Sequence, residues 1–314
     1  MALDPTIKVI LDALAAMNAP PMSQGSPEQA RAQFRAVTVG MRQPEWIVDV
    51  PVVEDIRFDG PTKSLAARVY RSVEAGQGPV PTVLFIHGGG HVIGDLDTHD
   101  NQARTLCRDT GSVVVSVEYR LAPEEPWPGA SDDCLAAAQW IFANIDDFGG
   151  DITSIGVAGD SAGGNLATVT AIRARDAGLR FKAQLLLYPV VDFSFHGPYP
   201  SRFEFAEGYF LTLDDMAWFG TQYAGKGADV AHPNLSPIQA NLTDLCSAIV
   251  VTAEFDPLRD EGEAYAEALA AAGVAVELVR APGMIHGFYD LGGISPAAAG
   301  LIERCNKSFA SLLH

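Results

Sequence analysis

The sequence predicts an α/β fold, an eight-stranded and mostly parallel sheet flanked by helices. Three observations carry this. Short apolar runs recur along the chain, and in its second half they alternate with segments whose apolar residues fall at helical spacing. The run Thr82-Val83-Leu84-Phe85-Ile86-His87 is apolar without alternation, as expected of a strand whose two faces are both covered. A third run, Ile155-Gly156-Val157-Ala158, breaks at Gly159-Asp160-Ser161-Ala162-Gly163 and continues into a helix-forming stretch, which reads as strand, tight turn and helix.

The elements follow in order. Between Met1 and Pro20, the residues Ile7, Ile10, Leu11, Leu14 and Met17 lie at helical spacing, while Asp4 and Lys8 interrupt the apolar core that a signal peptide would need, so an amphipathic helix is expected. Ser26-Pro27-Glu28 opens a second helix running towards Val39, with proline at the first helical position. Val52 to Phe58 and Leu65 to Arg71 are β-rich and flank Asp59-Gly60-Pro61, the chemistry of a turn between antiparallel strands. Ala75 to Pro79 reads as a loop. After the strand Thr82 to His87 come a strand from Ser112 to Tyr119, a helix from Asp133 to Phe142, a strand from Ser154 to Gly159, a helix from Ala162 to Ala177 and a strand from Ala183 to Tyr188. Further on, Ala248 to Ala253 is a strand, and Leu258, Gly262, Tyr265, Leu269 and Ala272 mark one helix face. Val276 to Val279 closes the sheet, and Ala298, Leu301, Ile302, Cys305, Phe309 and Leu312 stripe a C-terminal helix.

One composition shift stands out. Between Pro189 and Pro237, Phe193, Phe195, Tyr199, Phe203, Phe205, Tyr209, Phe210, Trp218, Phe219 and Tyr223 crowd a segment short of strand signals, and Thr212-Leu213-Asp214-Asp215 resembles a capping box. A structureless loop of that length does not suit a compact domain, so a lid subdomain is expected there.

A chain of 314 residues that is 48% hydrophobic can bury one large core without a second independent domain. Its net charge of -18, from 21 Lys+Arg against 39 Asp+Glu, repels phosphate backbones and anionic membrane surfaces, so nucleic acid is not an expected partner. No run of about 18 apolar residues occurs, and no membrane span is expected. Cys107, Cys134, Cys246 and Cys305 are scattered without C-x-x-C spacing, which favours buried reduced thiols and a cytoplasmic location. His99, His196 and His232 fall in no H-x-x-x-H or H-E-x-x-H grouping, so no metal is proposed. The glycine run after Ile86 fits neither a Walker loop nor the dinucleotide spacing, and no cofactor is expected.

A serine hydroxyl is a poor nucleophile, and a chain that uses one must hold it clear of the backbone, near a base and near donors for an oxyanion. The turn Gly159 to Gly163 presents Ser161 in this way, and the Ala162 N–H at the mouth of the following helix points where negative charge would develop. His87-Gly88-Gly89-Gly90 directly follows a strand, and Gly88, Gly89 and Gly90 leave their N–H groups unobstructed, which suits an oxyanion hole. His91 comes next, either lining an acyl pocket or bonding the loop backbone, and the second role is favoured. Past the strand Ala248 to Ala253, three carboxylates compete for the place of a catalytic acid: Glu254, Asp256 and Asp260, any of which could instead cap the next helix. Asp256 is the best placed, because Pro257 fixes its loop and Asp260 falls within the first helical turn. Gly283-Met284-Ile285-His286-Gly287-Phe288 puts His286 in a glycine-flanked loop after the last strand.

Taken together, the segments His87 to Gly90, Tyr119-Arg120-Leu121-Ala122-Pro123-Glu124, Gly159 to Gly164, Asp256-Pro257-Leu258-Arg259-Asp260 and His286-Gly287-Phe288 make the chain resemble the bacterial hormone-sensitive-lipase-like (family IV) carboxylesterases of the α/β-hydrolase superfamily, from about Pro81 to the C-terminus. The order Ser161, Asp256, His286 is the one used by that superfamily. The resemblance implies Ser161 as nucleophile, His286 as base, Asp256 as the acid that orients it, and an oxyanion hole from the N–H groups of Gly89, Gly90 and Ala162. It also implies a cap made of residues 1–45 and 189–237 over a catalytic domain of residues 46–188 and 238–314, and a homodimer paired through the Val276 to Val279 edge. An aromatic residue often follows the glycine run in this family, whereas here it is His91. The expected reaction is hydrolysis of short- to medium-chain acyl esters, small molecules, through an acyl-enzyme. Two alternatives stand beside it: an amidase or peptidase-type serine hydrolase, and a small-molecule receptor of the kind plants have built on this fold by losing the histidine that is retained here. A histidine base must be neutral to accept a proton, so activity is expected to fall on the acid side.

Overall fold

In a computed structural model that describes residues 2–72, 79–194 and 197–314, β1 (Val52–Asp59), β2 (Ser64–Arg71), β3 (Val80–Ile86), β4 (Val113–Glu118), β5 (Gly150–Asp160), β6 (Ala183–Leu187), β7 (Ser247–Phe255) and β8 (Val276–Ile285) form one sheet. Its order is β1-β2-β4-β3-β5-β6-β7-β8. β2 pairs antiparallel with β1 and β4, and every other pairing is parallel. The order reverses at β3, which lies between β4 and β5. A crevice opens past the carboxyl ends of the strands at such a reversal, and in this chain it is where Gly88 to Gly90 and Ser161 emerge.

The helices are α1 (Pro5–Ala16), α2 (Pro27–Thr38), α3 (Asp100–Thr110), α4 (Gly129–Ala143), α5 (Ala162–Asp176), α6 (Ser201–Glu204), α7 (Leu213–Ala224), α8 (Arg259–Ala271) and α9 (Pro296–Leu313). Successive side chains of a strand face opposite ways, and β3 sends Leu84 and Ile86 into one core cluster and Val83 and Phe85 into another. The first cluster is closed by α4, α5 and α8 through Ala137, Ile141, Leu166, Tyr265 and Leu269. The second is closed by α3 and α9 through Leu106, Cys107, Ile302, Cys305 and Phe309. No described helix is long and apolar enough to cross a membrane. All four cysteines are free, three of them buried and Cys246 half-buried.

The structure departs from the sequence reading at identifiable places. β8 continues past Val279 to Ile285, through Arg280, Pro282 and Gly283, and an edge strand tolerates the missing proline N–H. Helix α3 was not expected, because its buried face of Gln102, Ala103, Leu106, Cys107 and Thr110 is largely small or polar. The Ser26 cap forms a full capping box with Gln29. At Thr212 only half a box forms: its hydroxyl accepts the Asp215 N–H at 3.0 Å, while Asp215 Oδ1 accepts the Ser23 N–H, also at 3.0 Å, and ties α7 to the N-terminal segment. Helix α1 lies against β8, with the Asp4 N–H donated to Gly283 O at 3.0 Å and Ile7 fully buried. Most of the expected loop from Ala75 to Pro79 lies outside the described residues, as do Phe195 and His196.

Candidate active site

Ser161 stands between β5 and α5 with φ 56° and ψ −118°, a region that side chains other than glycine rarely occupy. Neighbouring backbone over-determines it. Its N–H is donated to Leu187 O at 2.8 Å, and its carbonyl accepts from Asn165 at 3.1 Å and Val190 at 3.3 Å. Gly163 is obligatory to this turn, since a Cβ there would run into the Ile86 carbonyl. The strained turn lifts Oγ out to meet His286 Nε2 at 2.9 Å.

His286 directly follows β8, and its Nδ1 lies 2.8 Å from Asp256 Oδ2. An ionised carboxylate can only accept, so Nδ1 carries the proton, Nε2 keeps its lone pair, and the Ser161 hydroxyl donates to it. Asp256 is fully buried, and its second oxygen accepts the Leu258 N–H at 2.8 Å, fixing the carboxylate plane. The Tyr188 ring packs beside the imidazole, 4.7 Å between centroids. Of the three competing carboxylates, Asp256 is the one that reaches His286. Glu254 accepts the Gly283 N–H at 2.8 Å and braces the end of β8. Asp260 accepts the Ser201 N–H at 2.7 Å and anchors α6.

The glycine loop after β3 approaches the same point. Gly89 has φ 107°, a conformation open to glycine, and its carbonyl accepts from Val92 and Ile93 at 3.0 and 2.9 Å, turning the loop back on itself. The N–H groups of Gly89, Gly90 and Ala162 donate to no protein acceptor among the described residues. Gly88 must be corrected: its N–H is donated to Asp160 Oδ1 at 2.8 Å, so it is not available as an oxyanion donor. Tyr119 supports the loop from below, its hydroxyl donating to His87 O at 2.8 Å while its ring stacks on the His87 imidazole. The His91 carbonyl accepts the Ala122 N–H at 2.9 Å, and the ring stacks face to face on Tyr223 of α7, 3.7 Å between centroids.

Two aromatic residues reach the site from the segment between β6 and β7. The Phe219 ring fills the space over the Gly90 Cα, and Phe210 lies 3.4 Å from where a Cβ of Gly287 would stand. Both belong to the aromatic crowd noted in the sequence, but nothing in their spacing separates them from Phe205 or Tyr209, which pack instead on Phe255.

A family model for the alpha/beta hydrolase fold matches residues 83–290, and the chain belongs to that family. Among curated relatives, it is 42% identical over 308 residues to the carboxylic ester hydrolase LipN of Mycobacterium tuberculosis, covering 94% of this chain and 80% of the relative. It is 36% identical over 315 residues to an ethyl acetate hydrolase of Pseudomonas putida, covering 96% of this chain and 97% of the relative. Among solved structures, a hyperthermophilic esterase from the archaeon Pyrobaculum calidifontis superposes with a TM-score of 0.92 at 42% identity, covering 99% of both chains.

Proposed function

We propose that this chain is a serine carboxylesterase of the hormone-sensitive-lipase-like branch, acting on small acyl esters with Ser161 as nucleophile, His286 as general base and acid, and Asp256 as the residue that orients the imidazole. The observation that carries the reading is the unbroken chain from Ser161 Oγ through His286 to the buried Asp256 carboxylate, with three undonated amides beside the hydroxyl. Ser161 passes its proton to Nε2 as Oγ attacks the ester carbonyl. The developing imidazolium is stabilised by Asp256, and the oxyanion takes the N–H groups of Gly89, Gly90 and Ala162. Collapse expels the alkoxide, which takes the proton from Nε2, and water then cleaves the acyl-enzyme by the same route. Phe219 and Phe210, close over the loop and the base, favour short to medium acyl chains.

The decisive experiment is a nitrophenyl ester series of increasing acyl length on the native enzyme and on Ser161→Ala. The native enzyme should peak at short to medium chains, and Ser161→Ala should lose at least about a thousandfold in kcat. Substantial turnover by the variant would refute the assignment. In the same reading, residues 1–45 and 189–237 are the cap and the protein is cytoplasmic. It is also a homodimer joined through β8, an edge strand on which Leu278 is 43% exposed. Light scattering at the mass of a single chain would remove the dimer.

A further inference from the structure

Behind the glycine loop lies a second Asp–His pair that the reaction does not use. Asp160 immediately precedes Ser161, is buried, and holds the Gly88 N–H on Oδ1. His99 Nε2 lies 3.7 Å from that same oxygen, an ion-pair contact, and the ring is 2% exposed. The other ring nitrogen, Nδ1, lies 2.9 Å from Thr98 Oγ1. That hydroxyl also lies 2.9 Å from Asp95 O and accepts the Asp95 N–H at 2.8 Å, so its one proton is shared between the Asp95 carbonyl and the ring. Nε2 thus faces a buried carboxylate with no other cation placed against it among the described residues, which is the partner an imidazolium requires. Burial opposes the charge on His99, but the fields of Asp160, Asp290 and Asp95 outweigh it and hold the group above its ordinary range. Burial likewise opposes the Asp160 anion, and His99 outweighs it.

This matters because a carboxylate is a poor neighbour for an oxyanion hole. Asp160 anchors the first residue of the loop that presents Gly89 and Gly90, and an uncompensated charge there would oppose the negative charge that develops in the transition state. We propose that His99 is a positioning residue of the oxyanion loop: as a cation it neutralises Asp160, so that this carboxylate holds Gly88 in place without repelling the oxyanion. The proposal rests on the reading of Ser161 as nucleophile.

The test uses the full-length enzyme and a nitrophenyl butyrate assay. His99→Gln removes the cation and keeps a donor, and it should lower kcat by about ten- to a hundredfold with KM within about twofold. Asp160→Asn removes the anion and keeps an acceptor for Gly88, and it should cost less than about tenfold. The informative variant is the double one. With the anion gone, the missing cation no longer matters, so Asp160→Asn placed in the His99→Gln background should restore kcat by at least about fivefold, a recovery that lost packing alone would not give. A double variant no faster than His99→Gln overturns the proposal. Should His99→Gln fail to fold, histidine NMR of the native enzyme decides: two protons on the His99 ring at pH 7 are required, and a neutral ring overturns it. Turnover that survives Ser161→Ala would sink the nucleophile assignment instead, whereas its loss there alongside an unaffected His99→Gln would sink this proposal alone.

Discussion

At the strand ends, Ser161, Asp256 and His286 are aimed by backbone; over them, α2 and the segment between β6 and β7 are held by side chains. Each reacting residue leaves a strand whose register is fixed by a parallel ladder on at least one side, β5, β7 and β8 in turn. The cover has no such ladder. Arg31 of α2 donates through Nε to Val92 O at 2.8 Å and pairs in a fork with Glu124, while Arg35 bridges Asp95 and Asp97. These pairs are partly exposed, and such contacts are worth about 0–1 kcal/mol each. The segment between β6 and β7 has a different anchor. Arg202 of α6 and Glu261 of α8 form a pair with 2% and 0% of their side chains exposed, and Glu261 also accepts the Val191 N–H at 2.9 Å. Chemistry and cover are thus fastened largely by different contacts, ladders below and side chains above, and they meet where Asp260 and Pro257 hold Ser201 and where the Val190 N–H is donated to Ser161 O.

That division can be tested most severely at Arg202. Replacing Arg202 with Met leaves a carboxylate buried without its cation, at a cost of about 3–5 kcal/mol of stability, readable as a lowered urea midpoint. Burial already pushes Glu261 up to about 7 against the pull of Arg202, and losing the cation raises it further. The loss should therefore be largest at high pH, shrink as the variant's Glu261 takes up its proton, and level off below about 7, where the native carboxyl is protonated too. Replacing both residues with Met should recover most of the loss. If chemistry and cover are separate, the folded variants should keep kcat on an acetate ester within about threefold of native, while KM rises for longer chains. A kcat loss as large on acetate as on butyrate would show the two regions to be one unit.

The same division explains what the sequence discloses. Catalytic groups sit at strand ends beside glycines, where the local chemistry is unusual enough to be read: Ser161 in its turn, His286 between Gly283 and Gly287, the run Gly88 to Gly90. The inner strands are legible because burial on two faces demands apolar runs, whereas β1 and β2 are read from β-rich residues around the turn at Asp59-Gly60-Pro61. Asp160, His99, Arg202 and Glu261 were not. Each acts across a long sequence separation, through a partner that no local pattern names, and each carries an ordinary charge in an ordinary position. The Gly88 amide belongs with them, since a glycine loop shows which amides are free of side chains but not which are already bonded. For Glu254, Asp256 and Asp260, the sequence favours Asp256 because Pro257 fixes its loop and Asp260 falls within the first helical turn, while the partners of the other two, Gly283 and Ser201, are visible only in three dimensions.

A smaller effect lies at the seam between the two regions, where the loop of the lower layer meets α7 of the cover. Burial drives the His91 imidazole down to about 3, and it drives His87 down to about 4. Both rings are neutral in the folded protein and charge readily in the unfolded chain, where histidine titrates near 6.5. Below that value the unfolded state binds more protons than the native one, so stability falls with pH. The contribution is complete above about 6.5 and drains away as the pH drops through the folded values, with a slope of up to about 1.4 kcal/mol per pH unit for each imidazole. His91→Phe keeps a ring against Tyr223 and removes one of the two protons. Its melting temperature should therefore decline less than that of the native enzyme between pH 6.5 and 4.5, with the two nearly equal at pH 8. The buried pair at His99 and Asp160 is common to both proteins and cancels in the difference. Parallel decline of the two curves would mean that the His91 ring is wetter than its packing implies, and that the seam between loop and cover opens before the core does.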